Sequence, residues 1–197
     1  LPLFSASMPY THLYTWKIGD SLDEQYRYLP VPAPTPDVPE EVWHTCRLVN
    51  TLDMPLTTAP AQFVNGGNFT GQDVLRYTPA GGTANIRINR ALNLLAERSE
   101  EEIERQRNAA QFQNRSFDLV VLRGTLRLRS ALPEAVKVEV TKELSGELRS
   151  SSPEAKDVTT SAGLKQVNPR RTLTWNLEIP AGETREISYA YQVYVGN

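Results

Sequence analysis

The sequence predicts an all-β fold, an antiparallel β-sandwich with little helix, and three observations lead to that prediction. Apolar and polar residues alternate over many short segments, which places each set on one face of a strand. Clusters of Pro, Gly and Asn separate these segments at short intervals and are typical of turns. The chain has 197 residues, of which 40% are hydrophobic and 22% charged. A chain of this size and composition can bury one core without a disulfide or a structural metal.

Residues 1–41 are predicted to form irregular N-terminal strands followed by a proline-rich loop. Tyr10–Ile18 is typical of a strand, and Tyr26–Leu29 of a short one. Prolines at alternate or nearly alternate positions over residues 30–39 impose an extended path, because each ring fixes φ and removes a backbone donor. Two interpretations remain open: an ordered loop along the sandwich, or a linker or ligand for a proline-recognition module.

Residues 42–197 are predicted to form the sandwich core of a single domain that covers residues 1–197. Trp43–Val49 and Ala61–Val64 are rich in β-forming residues, and the Asn-Gly-Gly-Asn sequence at 65–68 is a strong turn signal. Further along the chain, Val136–Val140 alternates strictly between valine and charged residues. This alternation predicts a strand with one buried face.

The last third of the chain predicts a hairpin. Leu173–Ile179 and Arg185–Val195 both alternate between apolar and polar residues, and Pro180-Ala181-Gly182-Glu183 supplies turn chemistry between them. We therefore expect these two segments to pair antiparallel. The apolar face of the hairpin is predicted to be buried between two sheets; its members are Trp175, Leu177, Tyr189 and Tyr191.

Residues 91–112 carry conflicting signals. Leu92, Leu95 and Ile103 are near helical spacing, and Glu101 and Arg105 form an i,i+4 pair that favours a helix. The neighbouring segments, however, all have the alternation of strands. The local pattern alone favours a helix, and the choice between helix and strand stays open at this point.

The stretch Val42–Gly81 resembles a known bacterial family. Asn50, the Pro55-Leu56 step, the Ala59-Pro60 step, an aromatic-x-Gly turn at Phe69–Gly71 and a Pro-x-Gly turn at Pro79–Gly81 follow one another in a characteristic order. The terminal segment Trp175–Glu183 is similar as well. This order resembles the C-terminal domain of unknown function in mucoidy-inhibitor-A-like proteins.

That resemblance implies several properties of the chain. It implies a β-sandwich that forms the C-terminal part of a longer protein, with a coiled-coil or helical part upstream. It implies a periplasmic or other extracytoplasmic location in bacteria, and it favours an extended conformation for residues 91–112. Because the shared motifs are turn and strand features, the resemblance implies no particular chemistry.

Composition excludes some classes of function. The chain has 21 Lys and Arg against 23 Asp and Glu, with a formal net charge of −2, so no basic surplus favours nucleic acid. No apolar run reaches the length of about 20 residues that a membrane-spanning helix needs. We therefore expect a soluble chain that binds neither nucleic acid nor, through a helix, the bilayer. The single cysteine, Cys46, excludes an intrachain disulfide and is otherwise neutral about the compartment.

Few residues have the chemistry of a catalytic or metal site. His44 and Cys46 share a strand face and can be two metal ligands or a nucleophile pair, but the same spacing arises when both face a core. We expect them and His12 not to converge, and we predict no metal and no cofactor. The acidic run Glu100–Glu104 lacks the spacing of a calcium loop, so we predict a solvated, salt-bridged edge. No catalytic residue is predicted.

One feature favours a binding function. Tyr10, Tyr14 and Trp16 lie at even positions of one strand and therefore share a face. If that face is exposed, it is a possible ligand surface; if it is covered, it is core. We expect a non-catalytic structural or protein-interaction module of a larger, envelope-associated bacterial protein, with self or another envelope protein as partner. A carbohydrate-binding module that uses the aromatic face is the alternative, and a hydrolase is a more distant one.

Overall fold

The computed structural model describes residues 5–20, 40–112, 114–161 and 167–196, and these residues form strands, turns and loops without a helix. The strands are β1 (Tyr10–Ile18), β2 (Val42–Val49), β3 (Ala59–Asn65), β4 (Asn68–Leu75), β5 (Thr83–Arg90), β6 (Leu94–Phe112), β7 (Arg115–Ser130), β8 (Val136–Ser145), β9 (Glu147–Ser152), β10 (Lys156–Thr159), β11 (Arg170–Ile179) and β12 (Thr184–Gly196). The predicted all-β class is confirmed. No helix that could cross a membrane occurs in the described ranges. The predicted strand at Tyr26–Leu29 and the proline-rich loop lie outside them.

The strands form three sheets. A large sheet has the order β10-β11-β8-β1-β2-β5, a small sheet has the order β6-β7-β12-β9, and β3 and β4 form a separate hairpin. The neighbours pair antiparallel, as predicted, with one exception in the described ladders. β1 runs parallel to β8, in a register that joins Tyr14 to Val138 and Ile18 to Lys142.

The large and small sheets share one hydrophobic core. Trp16 and Trp175 of the large sheet lie in the same buried cluster as Leu126 and Tyr189 of the small sheet. The rings of Trp175 and Tyr189 are 5.9 Å apart, so the two sheets meet there as the layers of a sandwich do. Burial of Trp175, Tyr189 and Tyr191 agrees with the sequence prediction, whereas Leu177 is only partly buried.

The predicted terminal hairpin is wrong. β11 pairs with β8 and β10 in the large sheet, whereas β12 pairs with β7 and β9 in the small sheet. The turn at Pro180–Glu183 closes with a 3.2 Å hydrogen bond from the Glu183 amide to the Pro180 carbonyl, and it carries the chain from one sheet to the other. Alternation indicates which residues face the core, but two strands on opposite sides of a core show the same alternation as two neighbours.

Residues 91–112 are extended rather than helical. Leu94–Phe112 forms the edge strand β6, which pairs along its length with β7 and is interrupted by two irregularities in register. Backbone pairing with a long buried strand therefore overrides the local helical preference. The acidic run is largely the predicted charged edge: Glu101 lies 3.5 Å from Arg123, and Glu104 lies 3.8 Å from Arg149. Such charges keep an exposed edge from pairing with other chains.

Glu100 departs from that prediction, because it forms part of a polar cluster inside the sandwich. Tyr189 and Glu100 both pair with Gly124 in the small sheet, and a Cβ atom on Gly124 would overlap the Tyr189 ring. The ring therefore lies across Gly124, and its hydroxyl donates to Glu100 Oε1 at 2.6 Å. From the large sheet, the Lys142 Nζ lies 3.3 Å from the same oxygen and donates to the Gly19 carbonyl at 2.8 Å.

The alternation of apolar residues along β8 indicates that Lys142 occupies a buried position. It continues the even-numbered apolar positions of β8, from Val136 to Leu144, and its side chain is 1% exposed. Burial lowers the pKa of Lys142, and the carboxylate of Glu100 acts against that change. A lysine in line with core residues therefore indicates a buried partner of opposite charge.

The residues of the family-like stretch have structural roles. The Asn50 side chain is fully buried and donates to the carbonyls of Met54, Thr78 and Pro79 at 3.0–3.2 Å. A Cβ atom on Gly71 would overlap the Ile88 carbonyl, so glycine lets β4 approach β5 closely. These contacts explain why the motif concerns turns and close packing rather than reacting groups.

We predict that Gly124→Ala destabilises the domain by about 1–3 kcal/mol or more, because the added methyl group overlaps the Tyr189 ring. Urea unfolding measures the loss. Gly19→Ala is the matched control, since no described atom lies within 4 Å of a Cβ built there. In a Tyr189→Leu background the cost of Gly124→Ala should fall sharply, and equal costs in both backgrounds would contradict the packing described.

We also predict strong coupling between Lys142 and Glu100. Lys142→Met alone removes the cation bonded to a largely buried carboxylate and should cost about 3–5 kcal/mol. The double variant Lys142→Met/Glu100→Gln should recover a large part of that loss, because it removes both charges. The measurement is a double-mutant cycle of unfolding free energies. Strict additivity of the two single changes would show that the pair is not coupled.

Candidate functional site

A crevice opens where β1 and β8 separate. The two parallel strands pair only from Tyr14 and Val138 onward, although β1 begins four residues earlier, at Tyr10. The space between them has a volume of about 950 Å³ and is lined by residues 11–14 of β1, residues 134–139 around the start of β8, and residues 176–178 of β11. This volume lies in the range of ligand-binding pockets, which is about 300–1,000 Å³.

Four rings form a row at this crevice, and we call them the ring ladder: His12, Tyr14 and His44 line the crevice, and Tyr10 extends the row from His12 into solvent. β1 and β2 pair antiparallel so that Tyr14 lies opposite His44, and residues on one face at direct or diagonal positions are in contact distance. The Tyr10 ring meets His12 edge-on at 5.4 Å, His12 lies 4.9 Å from His44, and His44 stacks on Tyr14 at 5.1 Å. The ladder is therefore a continuous aromatic surface that two strands hold in place.

The structure divides the predicted Tyr10, Tyr14 and Trp16 surface. Tyr10 is 60% exposed, Tyr14 is half-buried, and Trp16 is completely buried. The Trp16 indole N–H donates to Glu40 Oε2 at 3.0 Å. β1 thus runs from solvent into the space between the sheets. The face that carries these three residues is exposed at the start of the strand and buried at its end. Trp16 belongs to the core and not to the exposed surface.

The prediction that His12, His44 and Cys46 do not converge is wrong for the two histidines. His44 Nε2 and His12 Nδ1 are 3.0 Å apart and share a hydrogen bond. Cys46 lies opposite His12 in the register, but it is buried and is not part of the crevice lining. The spacing along β2 indicates that His44 and Cys46 share a face, but it does not indicate that β1 is the strand that pairs with β2. Within the described ranges, no three His, Cys, Asp or Glu residues are placed to hold a metal.

The electrostatics of the site favour uncharged His44 and Tyr14 side chains at neutral pH. Burial lowers the pKa of His44, and the nearby His12 lowers it further. Burial raises the pKa of Tyr14, and the negative charge of Glu134 acts in the same direction. Burial also raises the pKa of the Cys46 thiol, which keeps it protonated. His44 and Tyr14 therefore offer neutral stacking faces and neutral hydrogen-bonding groups.

Polar and charged side chains also line the crevice. Arg47 donates two hydrogen bonds to the Glu139 carboxylate, at 2.8 and 2.9 Å. Glu134, Asn65 and Asn176 also line the space. Aromatic rings together with hydrogen-bonding groups are what a recognition site contains. Cross-strand pairing brings these residues together from distant parts of the chain, so the sequence pattern placed Tyr10 and Tyr14 on one face but did not indicate that the two histidines lie beside them.

A second cavity of about 630 Å³ lies among residues of the large sheet and β4. Its central contacts are internal: the Arg87 guanidinium lies 4.5 Å from the Trp43 ring centroid and 3.5 Å from Asp73 Oδ2. The backbone amide of Arg87 also donates to Asp73. Because these groups bond to one another across the space, they join β4 to the large sheet.

Comparisons of the chain with protein-family models, with curated proteins and with solved structures find no match.

We predict that His44 titrates below the usual range for histidine, whose pKa in an unfolded chain is about 6.5. Between the two values the unfolded chain binds more protons, so the free energy of unfolding should decrease as the pH falls through that window. NMR titration of the two imidazoles measures the pKa. His12→Gln removes the neighbouring imidazole that helps to lower the pKa of His44, so this pKa should rise, without being restored fully because burial remains. A pKa of His44 at or above the usual value would contradict this description.

Proposed function

We propose that this domain is a non-catalytic protein-interaction module, and that the crevice beside the ring ladder receives an extended segment of a partner protein. The observation that carries the proposal is the separation of β1 from β8. Before Tyr14, the side of β1 that faces β8 has no strand paired to it in the described ladders. An extended segment that adds to such a strand gains main-chain hydrogen bonds, and the flanking side chains select its sequence.

The side chains favour a basic partner segment. Glu134 lies near enough to Tyr14 to raise its pKa, so negative potential accompanies the aromatic surface. An arginine or lysine side chain can stack on an exposed aromatic ring such as Tyr10, and the carboxylate of Glu134 in the crevice attracts the same positive charge. We therefore infer a partner segment with at least one basic residue, on a protein or on a second copy of this chain.

The chemistry of the ring ladder supports the non-catalytic part of the proposal. The two imidazoles hydrogen-bond to each other instead of to a hydroxyl or thiol nucleophile. The thiol of Cys46 is buried, and its raised pKa disfavours the reactive thiolate. Acyl or glycosyl transfer needs a nucleophile, a base and donors for developing charge in one place. Stacking and hydrogen bonding need only the groups that the ladder presents.

The proposed setting is a larger, envelope-associated bacterial protein, in the periplasm or elsewhere outside the cytoplasm. This part of the proposal rests on the resemblance of Val42–Gly81 and Trp175–Glu183 to the domain described above. Fractionation of bacterial cells that express the full gene product tests it, and recovery in the cytoplasm alone would contradict it.

A carbohydrate ligand is the second candidate, and the exposure of Tyr10 favours it. A tyrosine ring that is 60% exposed at the end of the ring ladder offers a flat face for a sugar ring, and Asn65 and Asn176 supply hydrogen-bonding groups to the crevice. The two candidates differ in salt dependence, because recognition of a basic segment weakens with ionic strength and sugar stacking does not.

We predict that Tyr10→Ala weakens binding of a selected basic peptide at least tenfold, because it removes the exposed face of the ladder. Selection from a displayed peptide library and from a glycan array identifies the ligand, and titration calorimetry gives the affinities. Tyr77→Ala is the matched control, since Tyr77 is 62% exposed and Tyr10 is 60% exposed, and Tyr77 is not a member of the ring ladder, whereas Tyr10 contacts His12.

Glu134→Gln should weaken the basic peptide and reduce the salt dependence of its binding. If the selections enrich glycans and no peptides, a carbohydrate replaces the basic segment as the ligand of the crevice. Equal losses for Tyr10→Ala and Tyr77→Ala, or no ligand from either library, would contradict the crevice as a recognition site.

A further inference from the structure

We infer that His12 and His44 form a two-nitrogen binding site for a divalent copper or nickel ion. The ring nitrogens that face each other, His12 Nδ1 and His44 Nε2, are 3.0 Å apart. The chain contains two histidines in all, and cross-strand pairing brings both to one point. Neutral imidazole is a preferred ligand of copper, nickel and zinc.

The distance between the nitrogens distinguishes among these metals. With metal–nitrogen bonds of about 2.0–2.1 Å, two nitrogens 3.0 Å apart subtend roughly 90–100° at the metal. Neighbouring ligands in a square-planar or tetragonal complex are at about 90°, which is the geometry of Cu(II) and Ni(II). A tetrahedral zinc ion places its ligands at a wider angle, and divalent zinc binds nitrogen sites less strongly than divalent copper.

The site is rigid before a metal arrives. His12 and His44 lie on the paired strands β1 and β2, Tyr10 contacts the His12 ring edge-on, and Tyr14 stacks on the His44 ring. Little side-chain freedom is therefore lost when the metal binds. One ring now donates the shared hydrogen bond; its proton must move to the other nitrogen of that ring, and both facing nitrogens then offer lone pairs.

The remaining coordination positions belong to water. Cys46 lies opposite His12 in the register, but it is buried, and no third metal-binding side chain of the described part of the chain stands beside the pair. Since both histidines line the crevice, an ion held there is accessible to solvent. The inference uses the hydrogen-bonded pair alone and does not require that the crevice bind a partner.

Electron paramagnetic resonance of the purified chain with Cu(II) tests the inference directly. Cu(II) is added as its glycine complex, which suppresses weak binding to surface carboxylates and to the terminal amine. We expect one Cu(II) per chain, with hyperfine coupling to two imidazole nitrogens. His12→Gln and His44→Gln should each lower the affinity for Cu(II) at least tenfold and leave coupling to one imidazole at most. Zn(II) should bind at least tenfold more weakly than Cu(II).

Controls separate a site from a general loss of structure. Tyr77→Ala keeps both histidines, lies outside the crevice lining and should bind Cu(II) as the unchanged chain does, and unfolding curves establish that each variant is folded. The nitrogen coupling is measured in the unchanged chain, so this result does not depend on whether any variant folds. Spectra without imidazole coupling, or Cu(II) affinity that is the same after both histidines are replaced, would overturn the inference. If the unchanged chain binds Cu(II) but no peptide, that result contradicts the proposed function and leaves the metal site intact.

Discussion

Tyr189 can lie flat across the small sheet because position 124 has no side chain, and its hydroxyl then reaches Glu100 on the edge strand. The same carboxylate accepts the buried Lys142 of the large sheet. Glu100, Gly124 and Tyr189 therefore form one row across β6, β7 and β12, and this row links the small sheet to the large one. The ring centroids of Tyr189 and Trp175 are 5.9 Å apart. The aromatic core and the buried charge pair are two parts of one arrangement, and both depend on a glycine.

The binding surface depends on the same packing through β1. This strand lies between β2 and β8 in the large sheet, and its last residues are held under the small sheet by the burial of Trp16 and Ile18. Trp16 is also tied to Glu40, which forms a 2.6 Å ion pair with Arg98 of β6. With one end fixed, the other end of β1 extends past the start of β8 and holds the ring ladder at the edge of the core.

Alternation predicted the all-β class and most of the core, because a strand with one buried face carries an apolar residue at every second position. It did not predict partners: β11 and β12 have the pattern of a hairpin, yet each lies in a different sheet. The helical spacing of residues 91–112 was outweighed by pairing with β7. The site was predicted only in part, since contact between His12 and His44 requires β1 and β2 to be neighbours in a specific register, and single-strand patterns contain no such information.

The parallel pairing of β1 with β8 has a consequence for how the chain is made. Tyr14 and its register partner Val138 are 124 residues apart, so at a synthesis rate of about 5–20 residues per second β1 waits roughly 6–25 s for its neighbour. Contacts between such distant residues make folding slow, because the connecting loop must close first. During that interval the β8-facing edge of β1 is exposed at the ribosome, together with the apolar face that carries Trp16. A chaperone that covers extended apolar strands would act on this domain at that stage.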